Sequence, residues 1–458
     1  MGGFLIGMAV TVVAAWMILK KYQPHAVLLL SGLLMLALTA ILFPETSILF
    51  KKAKSSGWVG FDVFGYVKDS TSFLVSGIGL VIMSAGGFAK YMDHIGATDA
   101  MVRVSIAPLK ALKAPYAVLA AGYAVGQVLN IFIPSAAGLA MLLLVTFFPT
   151  LIRLGVSRAA AAAMIATTAV LDLGPASAAA VLASRTAHLD PAIYFVKHQI
   201  PVSVVTILVI SILTYVSGRY FDARDGHVAD PLASGPAAPE AAGESGAPLA
   251  YALLPALPLV MILVFSKLVV AKISLHVVTA MLIGTLLGMA CEAVRTRDLR
   301  TTFRGLMAFF NGMGSMFGPI IMLLVCSAVF SAGLQAIGAI GYMIHSAQTM
   351  GFGPGTMTVV MCTLVAATAI ITGSGNAAFF AFSGLVPEIA GRFGASVVAM
   401  VMPMQLTAGM ARSLSPVAGV VIAVCEAGRC SPMEIVRRTA LPVGGGLLAM
   451  VAYCVLFA

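Results

Sequence analysis

Thr372-Gly373-Ser374-Gly375-Asn376 is a polar, glycine-rich run between two apolar ones, Val359 to Ile371 and Ala377 to Val386. In hydrocarbon an unsatisfied backbone N–H or C=O costs several kcal/mol, so such a break is tolerated only where protein covers it or water reaches it. The stretch is therefore a candidate site as well as a structural interruption. Its meaning depends on whether the chain around it lies in a membrane.

Composition answers that. Of 458 residues, 60% are hydrophobic and 10% charged, against roughly 25% charged in an ordinary soluble domain. Many apolar stretches approach the ~20 residues that cross a bilayer. The chain reads as a polytopic all-α membrane protein. Its formal charge of +10 reflects the gathering of Lys and Arg in cytoplasmic loops, not nucleic-acid binding. The cysteines Cys291, Cys326, Cys362, Cys425, Cys430 and Cys454 form no C-x-x-C pair and read as small buried groups. Met1 to Leu19 looks a little like a leader but reads as a first membrane helix, because Lys20 and Lys21 follow its apolar run instead of preceding it.

Working outward, helices are expected near 4–19, 25–43, 71–88, 201–218, 251–265, 277–294, 320–334 and 442–456, with 44–69 interfacial and surface segments near 90–113 and 337–350. Two apolar runs, about 114–151 and 356–391, are interrupted, the first at Pro134 to Gly138. Two helices, about 157–189 and 395–426, are broken at Asp172 to Ser177 and Arg412 to Pro416. Residues 219–249 are rich in Ala, Pro, Gly and acids and read as a hydrophilic linker. They divide the chain into a first repeat, 1–218, and a second, 250–458.

One spacing supports the repeat. Leu173-Gly174-Pro175-Ala176 and Leu414-Ser415-Pro416-Val417, Pro191 and Pro432, and Ile200-Pro201-Val202 and Leu441-Pro442-Val443 all lie 241 residues apart. If each interrupted run is a re-entrant hairpin, each half has about five crossings and the halves are inverted. With both termini outside, most of the 27 Lys and Arg fall in inside loops, among them Lys20, Lys21, Lys110, Lys113, Arg437 and Arg438; Lys51, Lys52 and Lys54 fall outside. Inverted repeats with discontinuous helices at the midplane are how secondary transporters hold substrate and coupling ion.

The breaks carry the chemistry. Ser415-Pro416 and Gly174-Pro175 read as helix starts, an N-cap followed by a first-turn proline. Ser374 and Asn376 precede another start. Helix N-termini offer free N–H groups and partial positive charge, so several of them converging make an anion site. Arg412 lies within a membrane segment, where a cation costs about 2.5–3.5 kcal/mol on insertion scales and needs a partner. It reads either as a bidentate carboxylate clamp or as the partner of Asp172. The expected substrate-binding residues are Ser135, Ser177, Thr372, Gly373, Ser374, Gly375, Asn376, Arg412, Ser413 and Ser415. Asp172, Asn130 and Asn376 are candidates for a coupling ion, with Na+ and H+ both open. Neither a cofactor nor a metal is expected: His198 and His345 have no ligand-spaced partners, and no nucleophile–base pair suggests an enzyme.

Thr372-Gly373-Ser374-Gly375-Asn376-Ala377, Leu414-Ser415-Pro416-Val417-Ala418-Gly419-Val420-Val421 and His94-Ile95-Gly96-Ala97-Thr98-Asp99 resemble the DcuC family of anaerobic C4-dicarboxylate carriers, as do Phe148-Pro149 and Ser157-Arg158-Ala159-Ala160. The resemblance implies a carrier of succinate, fumarate or malate in the bacterial inner membrane, working by symport, antiport or exchange. By analogy with the wider ion-transporter group it also implies a homodimer with an elevator movement. At the first tip the family tends to carry several small hydroxyl residues where only Ser135 stands here, and Ala178-Ala179 replaces a Gly-Asp pair. The second tip is therefore expected to hold substrate more firmly than the first. The same architecture carrying another organic anion or an amino acid is the alternative, and a channel is the remote one.

Overall fold

The computed structural model describes residues 2–50, 53–227, 247–270, 272–273 and 275–457. Most of the expected linker, 228–246, lies outside the described residues, as do Lys51 and Lys52. Among the described residues there is no strand. The helices are α1 (Gly2–Leu19), α2 (Pro24–Leu42), α3 (Val59–His94), α4 (Ala97–Lys110), α5 (Pro115–Phe132), α6 (Ala136–Thr146), α7 (Phe148–Arg153), α8 (Arg158–Ala166), α9 (Ala178–Thr186) and α10 (Pro191–Arg224). After a 3-10 turn at Leu249–Ala256 come α11 (Leu257–Val264), α12 (Val277–Thr296), α13 (Leu299–Ala336), α14 (Ala339–Thr349), α15 (Pro354–Thr372), α16 (Gly375–Ser383), α17 (Val386–Phe393), α18 (Val397–Arg412), α19 (Gly419–Gly428) and α20 (Pro432–Phe457). Eight of these are long and apolar enough to cross a membrane, so the chain is a multi-pass, all-helical membrane protein.

Several helices are longer than their apolar runs. The segment expected to be interfacial up to Asp69 is helical from Val59, and α3 continues to His94. Asp62 does not end it, because its carboxylate accepts from Ser55 Oγ (2.6 Å) and the Ser56 N–H (2.7 Å) at the helix start. The basic patch at Arg300 and Arg304 belongs to α13, which starts behind Asp298, whose carboxylate accepts from the N–H groups of Arg300 and Thr301. α10 starts at Pro191 and runs past the expected end at Gly218 to Arg224; α20 starts at Pro432, ten residues before Pro442. Three of the long helices, α3, α10 and α13, contain a π-turn, at Val75–Gly79, Tyr194–Gln199 and Phe317–Met322, the irregularity that long helices accommodate at packing or functional positions.

Small residues set the closest helix crossings. α13 meets α3 where Gly312 lies against Gly86 and Gly87; a Cβ on Gly312 would stand 2.7 Å from the Gly86 carbonyl oxygen. α13 also packs on α2, where a Cβ on Gly32 would stand 2.6 Å from the Phe330 backbone nitrogen. With lipid as apolar as the side chains, such close backbone contact is what holds membrane helices together. One large buried cluster joins α5 to α9 with α15 to α20, and a second joins α3 with α11, α12 and α13.

α10 and α20 pack along each other and end on a buried ion network. Asp222, 1% exposed, accepts from Arg438 (2.7 Å), the Ser157 N–H (3.1 Å), Ser157 Oγ and Tyr116 (3.2 Å), while Arg438, 5% exposed, also reaches Asp225 (2.6 Å). Four segments meet there. Removing one partner of a buried pair strands the other charge, at about 3 kcal/mol or more. Arg438→Ala should therefore lower the detergent-solubilised melting temperature clearly, and Asp222→Asn added to it should recover part of the loss. Equal and additive losses in the double-mutant cycle would contradict this coupling.

Candidate functional site

The site is built from four interruptions that touch. At 372–376, α15 ends on Gly373 in the left-handed conformation (φ 69°), with its N–H bonded to the Ala369 carbonyl. Ser374 caps α16 by accepting from the Ala377 N–H (3.2 Å), and Thr372 Oγ1 accepts from the Ser374 N–H (3.2 Å) while donating to the Thr368 carbonyl. Both glycines are required by contact. A Cβ on Gly373 would lie 2.9 Å from the Val417–Ala418 peptide, and one on Gly375 would lie 2.6 Å from the Ala408 carbonyl oxygen. The tip is thus seated on the second broken helix, touching both α18 and the chain just before α19. Asn376, half-buried, makes no side-chain hydrogen bond among the described residues.

The broken helices correct two expectations. Gly174-Pro175 and Ser415-Pro416 do not start helices; α9 starts after Ser177 and α19 after Ala418. In both places the proline sits second in a four-residue turn, closed by Ser177 N–H to the Gly174 carbonyl (3.2 Å) and by Ala418 N–H to the Ser415 carbonyl (3.3 Å). Proline's fixed φ suits that turn position as well as a first helical residue, so sequence alone could not separate the two. Ser177 caps α9 through the Ala180 N–H. Ala418 has no side-chain oxygen to offer, so the first N–H groups of α19 have no side-chain cap, and they begin where Gly373 packs. Ser415 Oγ accepts from the Val417 N–H (3.4 Å), and Ser413 Oγ donates to the Met410 carbonyl (2.7 Å); both serines are buried.

The first break, between α8 and α9, is held from outside. Its carbonyls at Thr167, Ala169, Leu171 and Asp172 accept from Gln127 (2.7 Å), Arg412 (2.9 Å), Gln405 (3.1 Å) and Gln405 again (3.2 Å). The Gly174 N–H donates to Gln199 (3.2 Å), and Gln405 Oε1 accepts from Gln199 (2.8 Å) and Tyr194 (3.4 Å). Gly409 of α18 lies directly against the Val170 carbonyl. The two broken helices therefore cross at their breaks.

Arg412 is accordingly not the ion-pair partner of Asp172. None of the ion pairs among the described residues includes it; its field reaches Asp172, but its Nη2 caps the Ala169 carbonyl. Asp172 is buried, in the left-handed conformation (φ 49°), and its carboxylate accepts no hydrogen bond among the described residues. Asn130 is buried and donates to the Ile133 carbonyl (3.2 Å). Ser135 caps α6 and is exposed, so the first tip presents less polar surface to the interior than the second. Gln127 Oε1, Asn130 Oδ1 and Arg412 Nε, buried around these breaks, have no hydrogen-bond partner among the described residues. Native proteins rarely leave such groups unpaired. Among the described residues no three His, Cys, Asp or Glu side chains gather as a metal site. The cysteines are all free, and burial pushes the Cys430 thiol, in the turn before α20, up to about 12, away from reactive thiolate chemistry.

The glutamines were missed in the sequence. Gln405 is a single amide in an apolar run, Gln127 precedes Asn130 by three residues and Gln199 follows Lys197-His198, weak signals that gain meaning only once freed carbonyls are known to need donors.

Comparison with known proteins places this architecture. The model of the C4-dicarboxylate anaerobic carrier family, DcuC, matches residues 3–458. The chain belongs to the DcuC family. It is 35% identical over 448 residues to the probable anaerobic C4-dicarboxylate transporter DcuC of Vibrio cholerae, covering 98% of this chain and 96% of that one. It is 34% identical over 447 residues to the anaerobic C4-dicarboxylate transporter DcuC of Escherichia coli K12, covering 98% and 95%. In fold it is similar to the solved Alcanivorax borkumensis YdaH transporter, with a TM-score of 0.63 at 16% identity over 95% of this chain and 98% of that one. As a DcuC member this is a membrane transporter, not an enzyme.

Gln405 lies at the centre of the crossing. Gln405→Leu should strip four hydrogen bonds from buried groups, at about 1–3 kcal/mol for each group left unpaired, and lower the melting temperature by several degrees. Gln405→Asn, which keeps the amide on a shorter stem, should cost less. Thermal unfolding in detergent checks the order; a Leu variant as stable as the parent would contradict the network.

Proposed function

We propose that this protein is a secondary active carrier of C4-dicarboxylates such as succinate, fumarate and malate in the bacterial inner membrane. The observation that carries the reading is the meeting of the second tip with two helix starts and an arginine. The capped N-terminus of α16 and the uncapped N-terminus of α19 adjoin at Gly373, and Arg412 ends the helix between them. Backbone N–H donors beside one polar tip, with a guanidinium at the end of the helix that packs on it, are what a dianion needs. Thr372, Gly373, Ser374, Gly375, Asn376, Arg412, Ser413 and Ser415 form this side of the site. Ser177 and Ser135 stand on the amino-terminal side and contribute less. The relatives' names supply the substrate class.

Asp172 and Asn130, on the first break and first tip, are the coupling-ion candidates, with Asn376 shared between ion and substrate. A buried carboxylate without hydrogen-bond donors among the described residues suits either a proton or Na+. The inverted-repeat reading is supported by reciprocal packing: α2 lies on α13 as α12 lies on α3, α9 on α18 as α19 on α8, and α1 on α14 as the 3-10 turn before α11 on α4. On this reading α5–α6 and α15–α16 are re-entrant hairpins, the termini share the periplasmic side, and the hairpins with the broken helices move as one body against the rest of a homodimer. The division at 219–249 follows the same logic.

In proteoliposomes, wild-type protein should take up or exchange labelled succinate saturably, and Arg412→Ala should reduce this at least tenfold while leaving the protein folded. Transport by Arg412→Ala at the parent rate would remove the assignment. Across ligands, succinate, fumarate and malate should raise the melting temperature by a few degrees, monocarboxylates and neutral amino acids by less. Stabilisation by an amino acid but not by dicarboxylates would favour the other-substrate reading. Asp172→Asn should abolish whichever of the Na+ or pH dependences the parent displays.

A further inference from the structure

A cavity of about 430 Å³ lies away from the crossing of the breaks, between the α9–α10 connection and the α11–α12 connection. Its exposed lining carries Arg185 and Lys267, with His276 beside them, while its deep end is closed by buried Val81, Val181 and Ile262. Asp190 is its one acid, and that carboxylate is engaged: it accepts from the N–H groups of Ala192 (2.9 Å) and Ile193 (3.4 Å) at the start of α10, where a helix N-terminus offsets negative charge. Arg185 and Lys267 outnumber that one carboxylate, so the permanent charge of the cavity is net cationic. Ile262 has a second neighbourhood. It also lines a small apolar gap with Pro134 of the first tip and Pro175 and Ala176 of the first break. Ile262 is thus the one residue that lines both the open chamber and the gap beside the amino-terminal tip.

We propose that this chamber is a capture site for small dianions, with Arg185 and Lys267 as the residues that concentrate them and Ile262 as the apolar constriction on the route to the first tip. The proposal rests on the carrier reading above and adds a second, weaker anion site to it. A cleft with a net excess of one sign of charge raises the local concentration of the opposite ion and the rate of its encounter. Salt screens that field, over about 10 Å at 0.1 M ionic strength. The site works on access and not on the inner binding step. Removing its charge therefore raises the half-saturation concentration and leaves the maximal rate alone.

The test has an arm that needs no transport. In protein whose native cysteines are replaced, His276→Cys should react faster with an anionic methanethiosulfonate than with a cationic one at low salt. Adding Arg185→Gln and Lys267→Gln should reduce that preference at least threefold. Ala176→Cys should react slowly with the anionic reagent and at least tenfold faster when Ile262→Ala is added. In the second arm, the Arg185→Gln/Lys267→Gln protein should take up succinate in proteoliposomes with at least threefold higher half-saturation at 10 mM salt, an unchanged maximal rate, and parity with the parent at 500 mM. An unaltered reagent preference, or a fall in maximal rate at unchanged half-saturation, overturns the capture site. An Ala176→Cys rate indifferent to Ile262 overturns the constriction. A parent protein that transports no dicarboxylate yet keeps the charge-dependent reagent preference overturns the carrier reading and leaves the chamber an anion site.

Discussion

Backbone freed from helical hydrogen bonding inside a membrane must find partners in the protein, and the rest of this structure follows from that constraint. The break between α8 and α9 releases carbonyls at Thr167, Ala169, Leu171 and Asp172. Each is met by a donor from another segment: Gln127 from the first tip's helix, Arg412 and Gln405 from the other broken helix. Gln405 uses all its capacity, giving two hydrogen bonds to the break and taking two from Gln199 and Tyr194. The Gln199–Gln405 pair is bonded at both its amide oxygens and nitrogens, and paired amides in a low-dielectric interior are rigid and specific. The crossing of the two breaks is therefore a single cooperative unit. It also explains why Gly409 is needed, since α18 runs directly over the Val170 carbonyl.

That unit separates two kinds of polar group. The first break spends its carbonyls on protein donors. The second break keeps donors in hand: the uncapped start of α19 and the rest of the Arg412 guanidinium, whose Nε has no partner among the described residues. Arg412, at the end of one broken helix, caps a carbonyl in the other and so couples the two. In the carrier reading, a carboxylate arriving at Arg412 is felt by the break that carries Asp172, a short physical path between substrate and coupling ion.

Much of this was legible in the sequence, for identifiable reasons. The interruptions at 372–376 and 412–416 stood out because polar and glycine-rich residues are rare in apolar runs. Helix ends were less legible. α3, α13 and α20 extend through charged and aromatic residues because a helix leaving the bilayer no longer has to be apolar, so hydropathy marks the span and not the helix. The prolines at 175 and 416 were placed at helix starts because proline's φ suits a first turn, but the same φ suits the second position of the closing turn they occupy. Gln127, Gln199 and Gln405 were invisible as a group because nothing in the sequence shows that they point at one piece of backbone. Arg412 was recognised as a membrane cation in need of a partner, yet the partner is a carbonyl that exists only because the first helix is broken.

The claim that binds these observations is that one dicarboxylate site lies where the second tip meets the break before α19. Bromosuccinate bound to the purified protein, located by its anomalous scattering in a crystal, tests it most directly. The account predicts one principal bromine peak beside Thr372–Asn376, with a carboxylate within hydrogen-bond distance of Arg412 and of the backbone N–H groups at Gly419–Val420. A principal peak elsewhere in the molecule, with the second tip unliganded at saturating concentration, would contradict it.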